Sequence, residues 1–188
     1  VAYGDGIYKS LDGGKSWKNM GLKTSEHIGM IAVHPSNSNV VFAAAYGPLW
    51  KQGGDRGLYK TTNGGDKWEL VLKVDEHTGI NEIHLDPRDP SVMYATAHQR
   101  RRHVFTYVGG GPGSQIYKST DSGENWKKLG GGLPSSIKGR IGMDISPANP
   151  DILYALVEAE MDKQGLYKST DRGESWKKVN SYVTSGNY

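Results

Sequence analysis

One eight-residue pattern occurs four times in this chain. The copies begin at Ser10, Thr61, Ser119 and Ser169, and all of them fit Ser/Thr-x-Asp/Asn-x-Gly-x-x-Trp. An Ile/Leu-Tyr-Lys triplet stands immediately before each copy. Similarity at a spacing of roughly fifty residues indicates a structural unit that is repeated along the chain.

The pattern is typical of a tight turn between two antiparallel strands. The Asp or Asn side chain accepts hydrogen bonds from nearby amides, and the Gly supplies the positive φ that returns the chain without strain. The Trp begins the returning strand, where its size suits a contact with the next unit. The turn residues predicted from the four copies are Ser10, Asp12, Gly14, Trp17, Thr61, Asn63, Gly65, Trp68, Ser119, Asp121, Gly123, Trp126, Ser169, Asp171, Gly173 and Trp176.

The composition favours an all-β protein. The 188 residues include 26 Gly and 11 Tyr beside 2 Phe, and no window has a sustained helical period. The net charge of +3 is spread along the chain apart from residues 100–103, which argues against nucleic acid or an anionic membrane as a partner. No apolar run is long enough to span a membrane. The absence of Cys excludes disulfides and thiolate catalysis.

Between the turns, short strands recur in a fixed order. Each complete unit has four of them, and a Pro-containing turn follows the first. Four short antiparallel strands in a repeat of this length predict a β-propeller blade, because the repeats of a β-solenoid, the main alternative, are shorter and lack hairpin turns. We predict a single domain of about three and a half blades, at residues 1–20 (outer half only), 28–73, 80–129 and 141–179.

So few blades do not close a ring. The first blade has only its outer two strands, and residues 181–188 are too few to supply the inner pair. A propeller normally needs at least four blades. We therefore expect an arc of a larger ring, whose remaining blades come from a longer chain or from another copy.

The repeats resemble a known family. The four turns look like Asp-boxes, also called bacterial neuraminidase repeats, and Pro-containing turns recur at 34–37, 86–90 and 146–150. Together they resemble the sortilin-like ten-bladed propellers and the xyloglucanase-type glycoside hydrolases, especially large secreted bacterial proteins of that kind. The resemblance implies an extracellular, cell-surface or periplasmic protein. It also implies that the Asp-box is a structural turn on the outer edge of a blade, away from any active site.

The connections between strands differ in length on the two faces of the predicted propeller. Those on the side of the recurring turns are short. The connections on the other side, here called the long-loop face, are residues 46–56, 74–79, 98–114, 130–140 and 158–164. Because long and varied loops carry function more often than short ones, we predict that the long-loop face binds ligand.

Aromatic and basic residues on these loops suit carbohydrate or peptide. The candidate ligand-binding residues are Trp50, Arg100, Arg101, Arg102, His103 and Tyr107, and Tyr46 and Phe105 are further rings that could stack. Arginines bind carboxylate or phosphate groups. Alternatively, Trp50 packs beneath its own loop, and the Arg run is solvated or contacts a neighbouring blade. The Gly-rich stretch 109–113 lacks the context of a phosphate site, and we interpret it as a flexible loop tip.

Glycoside hydrolysis would require two carboxyl groups. First strands line the channel of a propeller, so Glu82 and Asp144 form the candidate catalytic pair, with Arg140 nearby. Alternatively, both face water or pair with basic side chains. No metal or other cofactor is expected. The turn aspartates lack the spacing of a calcium loop, and the histidines recur at equivalent positions of the repeat, which indicates repeat register rather than a set of metal ligands.

The preferred hypothesis is a non-catalytic propeller module of a secreted bacterial protein that binds carbohydrate or protein through the long-loop face. The alternative is a segment of a glycoside hydrolase whose catalytic residues lie partly elsewhere. A third hypothesis is an assembly factor that holds another protein. We expect a polysaccharide or protein ligand, no nucleic acid and no membrane span.

Overall fold

The computed structural model describes residues 3–181, and nearly all of their regular structure is β-strand. Part of the predicted first strand (1–2) and most of the tail judged too short for an inner strand pair (182–188) lie outside the described residues. The strands are β1 (Tyr8–Lys9), β2 (Lys18–Asn19), β3 (Ile28–His34), β4 (Asn37–Ala45), β5 (Gly57–Thr61), β6 (Glu69–Leu72), β7 (Thr78–Leu85), β8 (Met93–Gln99), β9 (Arg101–Arg102), β10 (Tyr107–Val108), β11 (Ile116–Ser119), β12 (Lys127–Lys128), β13 (Ile141–Ile145), β14 (Leu153–Val157), β15 (Gly165–Ser169) and β16 (Lys177–Asn180). A single 3-10 turn, Lys23–Ser25, lies between β2 and β3.

The described strands form three four-stranded antiparallel sheets, the two-stranded sheet β1–β2 and the two-stranded hairpin β9–β10. Sheet 1 is β1–β2, sheet 2 is β3–β4–β5–β6, sheet 3 is β7–β8–β11–β12, and sheet 4 is β13–β14–β15–β16. The predicted all-β architecture of four-stranded propeller blades is therefore confirmed. One element was not predicted, the hairpin β9–β10 inserted between the second and third strands of sheet 3. Its strands of two residues are too short to show a period in the sequence.

Burial of the second strands shows which sheets are covered on both sides. In β8, the residues from Met93 to His98 are all buried, because sheets 2 and 4 pack on opposite faces of sheet 3. In β14 burial alternates instead, with Leu153 and Ala155 buried and Tyr154 exposed. Among residues 3–181, sheet 4 is therefore covered on one face only.

Each recurring turn is closed by the same set of local hydrogen bonds. In the third copy, the Ser119 hydroxyl accepts the Gly123 N–H at 3.0 Å and donates to Asp121 Oδ1 at 2.7 Å. The same carboxylate oxygen accepts the N–H of Asn125 at 2.9 Å. Gly123 has φ +87°, in the region that glycine adopts without strain. The other three copies have the equivalent bonds from positions 10, 61 and 169, so the turn is determined within eight residues.

These turns predict sensitivity to acid. Hydrogen bonds donated by the residue four positions later in the chain lower the pKa of Asp12, Asp121 and Asp171 to about 2. A carboxylate with a lowered folded pKa stabilises the fold fully above its ordinary value near 3.8, and that contribution is lost as the pH falls toward 2. We therefore expect the variant D121N/D171N to lose less of its free energy of unfolding than the parent chain between pH 5 and about pH 2.5.

Asn63 provides the matched control, because the second turn already holds a side chain that does not titrate. The substitution Asn63→Asp is expected to steepen the loss of stability over the same pH range. Denaturant unfolding at a series of pH values measures both effects. Identical pH profiles for the parent, D121N/D171N and Asn63→Asp would show that the turn carboxylates do not contribute.

Adjacent sheets are joined by a lysine that ends each Ile/Leu-Tyr-Lys triplet. The Nζ atoms of Lys9, Lys60 and Lys118 donate to main-chain carbonyls in the recurring turn of the following sheet, at 2.8–3.0 Å. The sequence predicted that the Trp contacts the next unit, but Trp68 contacts the preceding sheet instead, where its Nε1 donates to Met20 O at 2.7 Å. The Nε1 atoms of Trp17, Trp126 and Trp176 donate to the carbonyl of the Gly in their own turn, at 3.0–3.1 Å.

Candidate functional site

Loops from sheets 2, 3 and 4 contact one another on the long-loop face. The N–H of Arg102 donates to Leu49 O at 2.9 Å, which joins the hairpin β9–β10 to the loop 46–56. The N–H of Gly111 donates to Lys138 O at 3.1 Å, which joins the same region to the loop that precedes sheet 4. These main-chain contacts make one continuous surface from loops that are far apart in sequence.

Arg56 organises the first of these loops from within. Only 3% of its surface is exposed, and none of its described partners is a carboxylate. Burial lowers the pKa of its guanidinium to about 10, which leaves it charged at neutral pH. Its five donor contacts all reach main-chain carbonyl oxygens, those of Tyr46 (2.9 Å), Pro48 (2.5 Å), Lys51 (3.2 Å), Gly53 (3.3 Å) and His77 (3.2 Å). Sequence reasoning missed this residue, because a lone Arg at the end of a Gly-rich loop carries no signal of its own.

Tyr46 and His98 join the loop 46–56 to the loop 98–114. His98 Nε2 lies 3.0 Å from Gly109 O, and since a carbonyl only accepts, Nε2 carries the proton. The other ring nitrogen, Nδ1, therefore accepts from the Tyr46 hydroxyl at 2.5 Å. Burial lowers the pKa of His98 and raises that of Tyr46 to about 12, so both side chains are neutral near pH 7. Tyr46 is 8% exposed, and the prediction that it stacks on a ligand is wrong.

Arg100 covers the ring of Tyr46. The guanidinium carbon lies 3.7 Å from the ring centroid, a close cation–π contact. Among residues 3–181, no carboxylate or other acceptor bonds to the Arg100 side chain, and its Nε atom is buried without a partner. Burial lowers the pKa of Arg100, as does the positive charge of Arg140. The neighbouring Arg101 also has a buried Nε with no partner in the described part of the chain.

The remaining candidate ligand-binding residues lie on the same part of the face. Tyr107 pairs with Arg102 across the hairpin, and the Arg102 guanidinium lies 5.5 Å from the Tyr107 ring centroid. His103 is in the turn, where its N–H donates to Thr106 O at 2.8 Å. Trp50 is 46% exposed, so it does not pack wholly beneath its own loop. The structure therefore brings the predicted aromatic and basic residues together around one hairpin.

The Gly-rich stretch 109–113 is not the tip of this loop, contrary to the sequence interpretation. The tip is the turn at 103–106, where Phe105 is 96% exposed. Gly111 and Gly113 are buried, and the N–H of Gly113 donates to Gln99 Oε1 at 3.3 Å. A Cβ at Gly111 would lie 2.1 Å from that same Gln99 oxygen. These glycines therefore permit close packing.

Glu82 and Asp144 lie on the first strands of adjacent sheets, with His84 between them. Glu82 Oε2 accepts the N–H of Met143 at 2.8 Å, and Arg140 lies 3.8 Å from Oε1. His84 is 3.5 Å from Glu82 and 3.9 Å from Asp144 Oδ1. The Asp144 side chain is 85% exposed. The Glu82 carboxylate thus links strands β7 and β13, whereas the Asp144 carboxylate faces solvent.

The described residues contain neither a cluster suited to a metal ion nor a helix suited to a membrane. Between residues 3 and 181, no three His, Asp or Glu side chains are grouped so as to hold a metal ion. The same part of the chain has no helix with the length and apolar character needed to cross a membrane.

Comparison with known proteins agrees with the fold. A family model described as Sortilin, neurotensin receptor 3 (Sortilin-Vps10) matches residues 56–188. A xyloglucanase from Hypocrea jecorina (strain QM6a) is 30% identical over an alignment 183 residues long, which covers 92% of this chain and 20% of that protein. This chain therefore spans about a fifth of the length of the curated relative it matches.

Solved structures of GH74 enzymes have the same architecture. An ancestral GH74 enzyme superposes with a TM-score of 0.71 at 25% identity, covering 93% of this chain and 21% of that one. The GH74 xyloglucanase from Xanthomonas campestris gives a TM-score of 0.63 at 19% identity, covering 96% and 28%. The resemblance to sortilin-like and xyloglucanase-type propellers predicted from the repeats is confirmed.

Proposed function

Because the chain belongs to the Sortilin-Vps10 family, we propose that it is a propeller module that binds a ligand on its long-loop face and does not itself catalyse a reaction. One observation carries this proposal. Among residues 3–181, the Nε donors of Arg100 and Arg101 have no acceptor, and the exposed rings of Trp50 and Tyr107 lie on the same part of the face. Charged donors without an internal acceptor are costly unless a ligand binds them.

Carbohydrate is the ligand class that these side chains suit best. Exposed aromatic rings stack on the apolar faces of pyranose rings, and nearby Arg side chains bond to oxygens of the ligand. The relation to a xyloglucanase supports the same class. Binding of an extracellular polysaccharide would place the protein outside the cell, which agrees with the location that the sequence resemblance implies.

A glycan array tests this function, followed by a titration of the best oligosaccharide. We expect binding to at least one polysaccharide family, and a loss of about tenfold in affinity for the double variant W50A/Y107A, because stacking contributes a large part of the affinity at such sites. Retention of a protein partner without any glycan would instead support the assembly-factor hypothesis. Binding unaffected by W50A/Y107A would move the site elsewhere.

The second candidate is a glycoside hydrolase segment, which Glu82 and Asp144 on adjacent first strands favour. Against it, the Glu82 carboxylate already accepts the Met143 N–H and contacts both His84 and Arg140. We expect no hydrolysis of xyloglucan by this chain. Release of reducing sugar that Glu82→Gln or Asp144→Asn abolishes, while both variants keep the melting temperature of the parent chain, would establish catalysis and overturn the binding-only proposal.

A further inference from the structure

We infer that Arg100 binds a carboxylate group, and that the ligand of the long-loop face is an acidic polysaccharide with uronic acid residues. This inference rests on the proposed function, since it assigns a chemical class to the ligand of the same surface. Four features of the described residues carry it: the state of the Arg100 donors, the surrounding charges, the bonding of the Gly-rich segment, and the positions of the exposed rings.

The Arg100 side chain is fixed in position, but no carboxylate among residues 3–181 pairs with its positive charge. Its guanidinium lies 3.7 Å from the centroid of the Tyr46 ring, and Tyr46 is in turn fixed by its hydrogen bond to His98. Nε is buried, and neither it nor the two terminal nitrogens bond to an acceptor among residues 3–181. A guanidinium oriented by an aromatic ring presents a planar pair of donors, which matches the two oxygens of a carboxylate.

Among the described residues, the charges that act on Arg100 include no carboxylate, and the carboxylates that act on its neighbours Tyr46 and His98 are already engaged by other groups. Glu158 Oε2 accepts the N–H of Arg140 at 2.9 Å, and Glu82 Oε2 accepts the N–H of Met143 at 2.8 Å. Arg140 adds a second positive charge close enough to disfavour the charge on Arg100. The site therefore has an excess of positive charge, and an anionic group would relieve it.

A phosphate group fits less well than a carboxylate. Phosphate sites generally use several free main-chain amides, as in Gly-rich loops and helix N-termini. The Gly-rich segment beside Arg100 offers few, because the N–H of Gly111 bonds to Lys138 O and that of Gly113 bonds to Gln99 Oε1. The remaining features are a planar guanidinium and exposed aromatic rings, which together suit a sugar ring that bears a carboxylate.

Calorimetric titration with tetragalacturonate, its methyl ester and a neutral xyloglucan oligosaccharide tests the inference. We expect the parent chain to bind the acid at least tenfold more tightly than the ester, because esterification removes the charge that the guanidinium recognises. Arg100→Gln is expected to weaken binding of the acid about tenfold or more and to weaken binding of the ester much less, because the ester offers acceptors but no charge. Lys67→Gln serves as the matched control, since it removes one positive charge from an exposed site in a recurring turn.

The outcomes of these titrations bear on the inference as follows. Equal affinity for the acid and its methyl ester overturns the inference, even if Arg100→Gln fails to fold, because that comparison needs only the parent chain. Equal losses for Arg100→Gln and Lys67→Gln indicate a diffuse charge effect and also overturn it. Binding of the neutral oligosaccharide without binding of galacturonate refutes the inference alone. No binding to any glycan, with or without capture of an acidic peptide, refutes the proposed function as well.

Discussion

Replacement of Arg56 with Met is expected to lower the free energy of unfolding by about 3 kcal/mol, because five main-chain carbonyl oxygens lose their donor at once. Methionine keeps much of the side-chain length, so the loss reports mainly on the hydrogen bonds. Four of the carbonyls lie within the loop 46–56 and the fifth, that of His77, lies in the loop 74–79, so we expect the loop 46–56 to open. Denaturant unfolding gives the stability, and hydrogen–deuterium exchange of residues 46–56 reports on the loop.

The control for Arg56→Met is Arg102→Met, since Arg102 is an exposed arginine on the same face. A loss below about 0.5 kcal/mol is expected there, as for most exposed side chains. Arg56→Lys should fall between the two, because one ammonium group replaces only part of the donor set. A loss for Arg56→Met no larger than that for Arg102→Met would show that the loop is held by other contacts.

Tyr94→Ala is expected to cost about 4 kcal/mol, the range for removal of a fully buried aromatic side chain. Tyr94 lies between sheets 3 and 4, where its hydroxyl donates to Arg172 O at 3.1 Å and a Cβ at Gly173 would lie 3.5 Å from its ring. The chain supplies its own control in Tyr154, which occupies the same position of the repeat in sheet 4 but is 37% exposed.

For Tyr154→Ala we expect a loss of about 1 kcal/mol, since no further sheet among residues 3–181 covers that ring. Tyr94→Phe should also cost only about 1 kcal/mol, because it removes one hydrogen bond and keeps the ring. Chemical denaturation of the three variants measures the differences. Similar losses for Tyr94→Ala and Tyr154→Ala would contradict the packing of sheet 4 on sheet 3.

The fold could be predicted from the sequence because its signals are local. In each recurring turn, a Ser or Thr at the first position accepts an N–H from the Gly four residues later, so eight residues determine the geometry. Strand order followed from the repetition of those turns. The direction of the Trp contact could not be predicted in this way, because a ring at the start of a strand can turn toward either neighbouring sheet.

The candidate site could be predicted only in outline. The Arg run and its aromatic neighbours lie together on the long-loop face that the loop lengths indicated, and ligand binding at that face stays a prediction. The roles of individual residues depend on contacts across the fold, since Tyr46 and His98 are 52 residues apart and Arg56 reaches a carbonyl 21 residues away. The sequence contains no period that pairs such positions. It therefore assigned Tyr46 to the ligand and gave no role to Arg56 or His98.

Hydrogen–deuterium exchange, measured with and without a saturating concentration of the oligosaccharide that the glycan array selects, tests directly whether the long-loop face is the binding surface. We expect slower exchange in the loops 46–56 and 98–114, and unchanged exchange in the recurring turns at 10–17, 61–68, 119–126 and 169–176. Slower exchange confined to the turns, or to the exposed strand β3, would place the ligand on another surface and contradict the function proposed for this propeller.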